Sequence, residues 1–492
     1  MKMARKNNQI NARFVSGSTM QHILVMTSTS TLGLMAVFLV DLTDMYFLSL
    51  LGEQAIAAAI GFAGSIAFFT TSICIALSIA AGVKISREIG SGESDQARSS
   101  TTNIAVIAGL VTLSACTILW PNIEFLLRML GARGQTLTYA IEYLQILLPS
   151  MPLLALGMVS AGALRALGDA KRAMICTLVA GMVNLVLDPL FIFQFGFGVK
   201  GAAIASVCAR VVLLWIAAYG VIRVHGLIAR FDLTRFRNDF RQTTAIAIPA
   251  LLTNIATPVG SAFITRMISG FGDSYIAAFA VIGRVIPVAF AMIFALSGAI
   301  GSIIGQNYGA GFFDRVKQVQ NNALLFATAY TMLACLIVWL STTWISNLFN
   351  LQIEATALFS FYWTFISWTY LFLGAQFIAN ASFNNLGKPF WSTVSNWGRI
   401  LFGTIPLAWF GAKLLGVYGV LIGEAIGTVL IGSISIWVSR RLINNLHSDM
   451  DIGEAGRATA MNPLSSGIAA TGVVSSHVAP RNIDKQNHPS QN

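Results

Sequence analysis

Long apolar stretches alternate with short polar loops along almost the whole chain. Each stretch has about 20 residues or more, which is the length an α-helix needs to cross the hydrocarbon core of a bilayer. Twelve stretches follow one another, at 20–51, 54–82, 99–121, 137–163, 173–194, 202–222, 243–270, 274–305, 319–346, 355–382, 390–412 and 416–438. The pattern predicts an all-α membrane protein with twelve transmembrane helices.

Composition excludes several other classes of protein. Of 492 residues, 55% are hydrophobic and 10% are charged, whereas soluble domains carry about 25% charged residues. The net charge of +11 resides mostly in short loops, so we expect the bilayer and no nucleic acid as a partner. The five cysteines form no CxxC pair and the histidines form no cluster, so we expect no metal, no cofactor and no enzymatic activity.

Basic residues collect in alternate loops, which predicts the orientation of the chain. One side of the membrane receives most of them, whereas the other side receives only Arg128, Arg133, Lys200 and Lys413. Because Lys and Arg favour the cytoplasmic side, we expect a multi-pass protein of the cytoplasmic (inner) membrane. Both termini are predicted to be cytoplasmic.

The chain repeats itself at an offset close to 220 residues. "GEQAIAAAIG" from Gly52 resembles "GDSYIAAFAVIG" from Gly272, and "GVKGAAIA" from Gly198 resembles "GVYGVLIG" from Gly416. Corresponding spans have the same orientation, which predicts two six-helix lobes around a central cleft. The predicted parts are a cytoplasmic arm 1–19, an N-lobe 20–222, a cytoplasmic linker 223–242, a C-lobe 243–445 and a disordered cytoplasmic tail 446–492.

Acidic side chains interrupt two of the apolar stretches in the N-lobe. Asp41 and Asp44 lie three residues apart in the first span, and Asn184 and Asp188 lie four apart in the fifth, so each pair shares a helix face. Carboxylates within a membrane are costly and usually functional. Ser206 in the sixth span completes the candidate polar group.

Two carboxyl groups shielded from water can bind a cation as a coupled unit. Binding removes a charge, so the helices that carry the acids can pack differently, and an ion gradient can bias the cleft. The repeat places Ser261 at the position of Asp41 and Ile264 at that of Asp44, so the acids are not required for packing of the scaffold. The alternative is a static hydrogen-bonded patch, which stays open above all for Asp41.

Several segments resemble the multidrug and toxic compound extrusion (MATE) family. They are "TDMYFLSLLGEQAIAAA" at 43–59, "LRALGDAKRAM" at 164–174, "NLVLDPLFIFQFGFGVKGAAIAS" at 184–206 and "QNYGAGFFDRVK" at 306–317. These segments occur in both lobes. The resemblance implies a twelve-helix antiporter that exports cationic and aromatic compounds in exchange for protons or sodium.

The resemblance also assigns residues. In the subgroup similar to DNA-damage-inducible protein F, an N-lobe network carries the coupling cation, and its members fall here on Asp44, Asn184, Asp188 and Ser206. Protons are the first expectation, with Na⁺ at Asp44, Asn184 and Asp188 as the alternative. Other subgroups carry a glutamate in span 7, where this chain has Thr257, and an aspartate in span 10, where it has no acid. The candidate cleft residues for substrate are Asn254, Thr257 and Gln376.

Two other functions remain open from the sequence alone. A flippase for lipid-linked precursors has a related scaffold, but its phosphate-bearing cargo would favour a positively charged cleft, and the acids here favour cationic cargo. An intramembrane enzyme would need a nucleophile or a metal cluster beside the acids, and the sequence offers neither. We expect a monomer.

Overall fold

The computed structural model describes residues 10–461, except for the side chains of Ser49, Gln54 and residues 447–461. Contacts divide the chain into one unit of residues 1–444 and a second of residues 445–492. Of the predicted tail, residues 446–461 are helical rather than disordered. Residues 462–492 lie outside the described part, so the prediction for them stays a prediction.

The N-lobe consists of eight helices that form the six predicted spans. They are α1 (Thr19–Ser49), α2 (Gln54–Gly90), α3 (Ser94–Leu119), α4 (Ile123–Met129), α5 (Gly134–Leu147), α6 (Met151–Ala166), α7 (Ala170–Pro189) and α8 (Val199–Tyr219). Short 3₁₀ turns join α3 to α4 and α5 to α6. Each turn contains a proline, which cannot donate the hydrogen bond that an uninterrupted helix requires.

The helices of the C-lobe are interrupted more often than those of the N-lobe. Its helices are α9 (Leu233–Ile268), α10 (Asp273–Ala289), α11 (Ala291–Gly309), α12 (Phe313–Leu340), α13 (Thr342–Leu348), α14 (Ile353–Phe361), α15 (Tyr370–Asn385), α16 (Phe390–Gly398) and α17 (Ile405–Met461). The predicted linker 223–242 is therefore half helical, because α9 begins at Leu233. Its Asp239 is buried against the N-lobe, where it pairs with Lys84 and accepts a hydrogen bond from Asn103 (2.6 Å).

Nine helical stretches of the described part are long and apolar enough to span a membrane, and some of them join two of the helices named above. The count becomes ten if α10 and α11, which are bent by 45° relative to each other, form one span. The tenth predicted span is split between α14 and α15 by π and 3₁₀ turns. The last two predicted spans are counted as one, although the backbone at Gly416 is not helical (φ 60°, ψ −140°). Gly403 and Gly427 meet across this break, so the chain reverses there, and the two lobes contain twelve spans.

The lobes meet chiefly at one end of the bundle, called here the closed end. There α11 packs against α1 and α2, and the Arg87 guanidinium donates to the backbone carbonyls of Asn384 and Asn385 (both 2.9 Å). The N-terminal arm is inserted at the same place. The backbone N–H of buried Phe14 donates to Gln306 (2.9 Å), so the arm contributes directly to the contact between the lobes.

Candidate functional site

The second half of α1 carries the first acids of the candidate site. Asp44 lies about 25 residues beyond the start of α1, which corresponds to roughly 37 Å along a helix. It therefore lies far from the closed end. In this half of α1 several apolar side chains are exposed, among them Leu39, Leu42 and Tyr46, while the opposite face packs along α7.

A single amide bridges the two carboxyl groups of the site. Nδ2 of Asn184 donates to Oδ1 of Asp44 (2.7 Å) and to Oδ2 of Asp188 (2.8 Å). The spacing of four residues on α7 puts both of its polar groups on the face that meets α1. The structure therefore brings together three of the residues predicted from the sequence.

The part of the cluster on α7 is shielded from solvent. Asp188 is 0% exposed and Asn184 is 2% exposed, and the second carboxyl oxygen of Asp188 has no hydrogen-bond partner in the described residues. Asp44 is half-buried, and its carboxyl group is held close to that of Asp188 because both accept from the same amide. Two carboxylates held this close in a poorly hydrated place repel each other, so the arrangement favours binding of a cation between them.

The chain geometry after Asp188 changes from α to π. Helix α7 ends at Pro189 and continues as a π-helical turn over Leu190–Gln194. Proline has no N–H to donate into the preceding turn, so the regular helix cannot continue unchanged. The distortion of this span is thus located immediately beyond the second acid.

Ser206 reaches the acids only through a second residue. Its side chain interacts with Tyr143 of α5, and Tyr143 interacts electrostatically with both Asp44 and Asp188. Tyr143 was not predicted from the sequence, since a single tyrosine in an apolar span carries no distinguishing signal. Arg210 does not neutralise an acid, because its guanidinium donates to Leu147 O (3.1 Å) and Ser150 Oγ (2.7 Å).

Asp41 stands apart from the bridged acids. Its side chain is exposed and has no hydrogen bond among the described residues, although its charge interacts with Asp44. The counterparts in the second lobe differ as the repeat predicts, since Ile264 is fully buried and Ser261 is exposed. The bridged acid pair is therefore a feature of one lobe.

The three candidate substrate residues of the C-lobe do not share one environment. Thr257 is exposed and Asn254 is half-buried. Gln376 is 0% exposed, and its amide donates to Ser395 (2.8 Å) inside the lobe. In the described part of the chain no three His, Cys, Asp or Glu side chains form a potential metal cluster.

Comparison with protein families gives one match that covers most of the chain. The MatE family model matches residues 30–190 and 249–410, one segment in each lobe. A protein of Shewanella oneidensis named FAD transporter is 31% identical over 427 residues, covering 85% of this chain and 94% of that protein. The probable multidrug resistance protein YpnP of Bacillus subtilis is 24% identical over 413 residues, covering 82% and 92%.

Solved structures agree with this match. A mutant of the Vibrio cholerae MATE transporter VcmN superposes with a TM-score of 0.82 at 25% identity, covering 87% of this chain and 97% of that one. A multidrug resistance MATE transporter in an outward-facing conformation gives a TM-score of 0.84 at 22% identity, covering 91% and 100%. At 22% identity, the match to the outward-facing transporter shows a shared fold only.

Proposed function

Because the chain belongs to the MatE family of membrane transporters, we propose that it exports small organic compounds in exchange for a cation. The proposal rests on one observation, the pair formed by half-buried Asp44 and buried Asp188 and bridged by Asn184 in a single lobe. The coupling ion is a proton, with sodium as the alternative. The acids favour cationic and aromatic cargo in the cleft.

Coupling follows from the position of α1. This helix packs against α7 within the N-lobe and against α11 of the C-lobe. A cation that binds between Asp44 and Asp188 removes their mutual repulsion and changes the packing of α1 on α7. The same helix then contacts α11 differently, so ion binding changes the relative stability of the two states of the cleft.

The membrane placement belongs to the same proposal. The excess of basic residues in the loops at the closed end, which include Arg87, Arg315 and the N-terminal arm, supports a cytoplasmic position of this end at the inner membrane. The cleft then faces outward when this end is closed. An external cation can enter from that side while cargo is released, and a monomer contains all the parts required.

A transport assay in vesicles tests the coupling. Purified protein is reconstituted, a step of pH or of sodium is applied, and movement of a fluorescent organic cation is followed. Asp188→Asn should abolish transport driven by the gradient while the protein remains folded, whereas Asp41→Asn, at an exposed acid of the same region, is the matched control. Gradient-driven transport by Asp188→Asn at the rate of the parent chain would refute the coupling role.

A second candidate cargo comes from the relative in Shewanella oneidensis. That protein is named FAD transporter, and the similarity covers 94% of its length. We therefore propose flavin nucleotides as the alternative cargo to organic cations. In the same vesicles, uptake of FAD in place of the cation would favour this alternative, while movement of a lipid-linked phosphate would favour a flippase.

A further inference from the structure

The internal repeat aligns a second polar site with the acid cluster. Gly198 at the start of α8 and Gly416 within α17 share an unusual backbone conformation, with φ 53° and ψ −128° in the first and φ 60° and ψ −140° in the second. Glu424 follows Gly416 by the same distance along the chain as Ser206 follows Gly198. The C-lobe thus places a carboxyl where the N-lobe has the hydroxyl that contacts Tyr143.

A buried cation accompanies this acid. Arg399 is only 9% exposed, and its charge interacts with Glu424 and Tyr370. The side chains of Tyr362 and Tyr370 lie close enough to interact with each other, and both interact with Glu424. Glu424 is also the one acid that the sequence places inside the spans of this lobe.

The positive charge of Arg399 is not compensated by a direct partner. Among the described residues its guanidinium makes no hydrogen bond and no ion pair within 4.0 Å, and its Nε is sealed from solvent without an acceptor. A buried guanidinium without a partner destabilises a fold by several kcal/mol. A side chain in this state indicates that an acceptor belongs at its free nitrogen atoms.

The segment that carries Arg399 packs against α9. Trp397 Nε1 donates to the backbone carbonyl of Leu252 (3.0 Å), and an added Cβ at Gly260 would lie 3.3 Å from Ile400. The neighbours of Arg399 in the chain therefore contact α9 on both sides of Asn254. The amide nitrogen of Asn254 is buried and has no acceptor among the described residues.

We propose that this C-lobe site binds an anionic oxygen group, a carboxylate or a phosphate, of a transported compound. Arg399 supplies the charge and a planar fork of donors, which suits both groups. Glu424 is the internal countercharge with which the anionic group of the ligand competes. The inference rests on the transport function proposed above and adds an anion-binding site to it.

Equilibrium binding to the purified full-length protein tests the site without any gradient. FAD and riboflavin share the fluorescent ring system, but only FAD carries a pyrophosphate, and carboxyfluorescein supplies the carboxylate arm. The parent chain should bind FAD or carboxyfluorescein more tightly than riboflavin. Arg399→Gln should weaken binding of the anionic probe by about tenfold or more and leave riboflavin unchanged, and Arg399→Lys should restore part of the loss.

Two further variants separate the site from general effects. Glu424→Gln should tighten binding of the anionic probe, because the competing carboxylate is gone. Arg284→Gln, at an exposed arginine of α10, should change nothing. No binding of either anionic probe, or equal loss of FAD and riboflavin in Arg399→Gln, would overturn the proposal. Asp188→Asn should bind the probes normally, so failure of the coupling mechanism gives a different result.

Discussion

Two glycines allow the lobes to meet at the closed end, and adding one methyl group there should force them apart. Gly309 ends α11, and a Cβ at this position would overlap the backbone carbonyl oxygen of Arg87 on α2. Gly90, the last residue of α2, faces the carbonyl of Gln306 in the same way. Backbone atoms cannot rotate away as a side chain can, so Gly309→Ala requires the helices themselves to separate.

The size of the effect follows from the geometry. Ordinary contact begins at 3.4 Å, so α2 and α11 must separate by roughly 1 Å in Gly309→Ala. Overpacking of this kind costs about 1–3 kcal/mol. Since each 1.4 kcal/mol is about a tenfold change in an equilibrium, the population with this end closed should fall roughly 5- to 150-fold relative to the opened arrangement.

Distances between spin labels measure this shift. Labels at Glu93, in the loop between α2 and α3, and at Lys317, exposed near the start of α12, should give a longer mean distance in Gly309→Ala than in the parent chain. Gly298→Ala is the matched control, because it lies on the same helix and its new Cβ would meet no atom within 4 Å. Both substitutions gain similar helix propensity. An unchanged distance distribution in Gly309→Ala would refute the close-approach argument.

Two further predictions concern stability outside the acid cluster. Lys84→Met leaves Asp239 buried without its cation. The free energy of unfolding should fall by about 3–5 kcal/mol, measured as a lower thermal unfolding midpoint. Lys84→Met combined with Asp239→Leu should recover much of the loss. The pKa of Asp169 is lowered from 3.8, because burial, which raises it, is outweighed by hydrogen bonds from His225 and Arg172. The stabilisation that the Asp169 carboxylate contributes is complete above pH 3.8 and is lost as the pH falls through the lowered pKa. Asp169→Asn should therefore have a lower thermal unfolding midpoint than the parent chain at neutral pH. In strong acid the two midpoints should be equal.

The spans were predictable because the bilayer permits few alternatives. An apolar stretch of sufficient length must form a helix, so the hydrophobic pattern fixed the number and order of the spans. Continuity within a span was not predictable in the same way. The break between α14 and α15 carries no proline. Helix α9 begins within a polar segment, where the hydrophobic pattern gives no signal, at the N-cap Asp232, whose side chain accepts a hydrogen bond from the backbone N–H of Thr234.

The acid cluster was predictable to the extent that helix spacing determines it. The spacing of Asn184 and Asp188 placed them on one face, and the cost of membrane carboxylates pointed to Asp41 and Asp44 alike, of which the family resemblance preferred Asp44. That Asn184 would bridge both acids, and that Asp41 would remain outside, depends on how α1 and α7 rotate against each other. No local pattern encodes that rotation, just as none marked Tyr143 or Arg399.

The two lobes share a scaffold and differ in the sign of the charge that they shield from water. In the N-lobe, Asp44 and Asp188 lie close together and form no ion pair with a basic side chain of the described residues, so the cost of shielding them from water would fall on binding of the proposed proton or sodium ion. In the C-lobe, Arg399 forms no ion pair within the described part of the chain, so its cost would fall on binding of the proposed anionic group. If both proposals hold, one molecule binds an external cation in one lobe and an anionic compound in the other. Arg399→Gln and Asp188→Asn should then act additively on probe binding, because the sites share no residue, and should interact only in gradient-driven transport, where both lobes must move together.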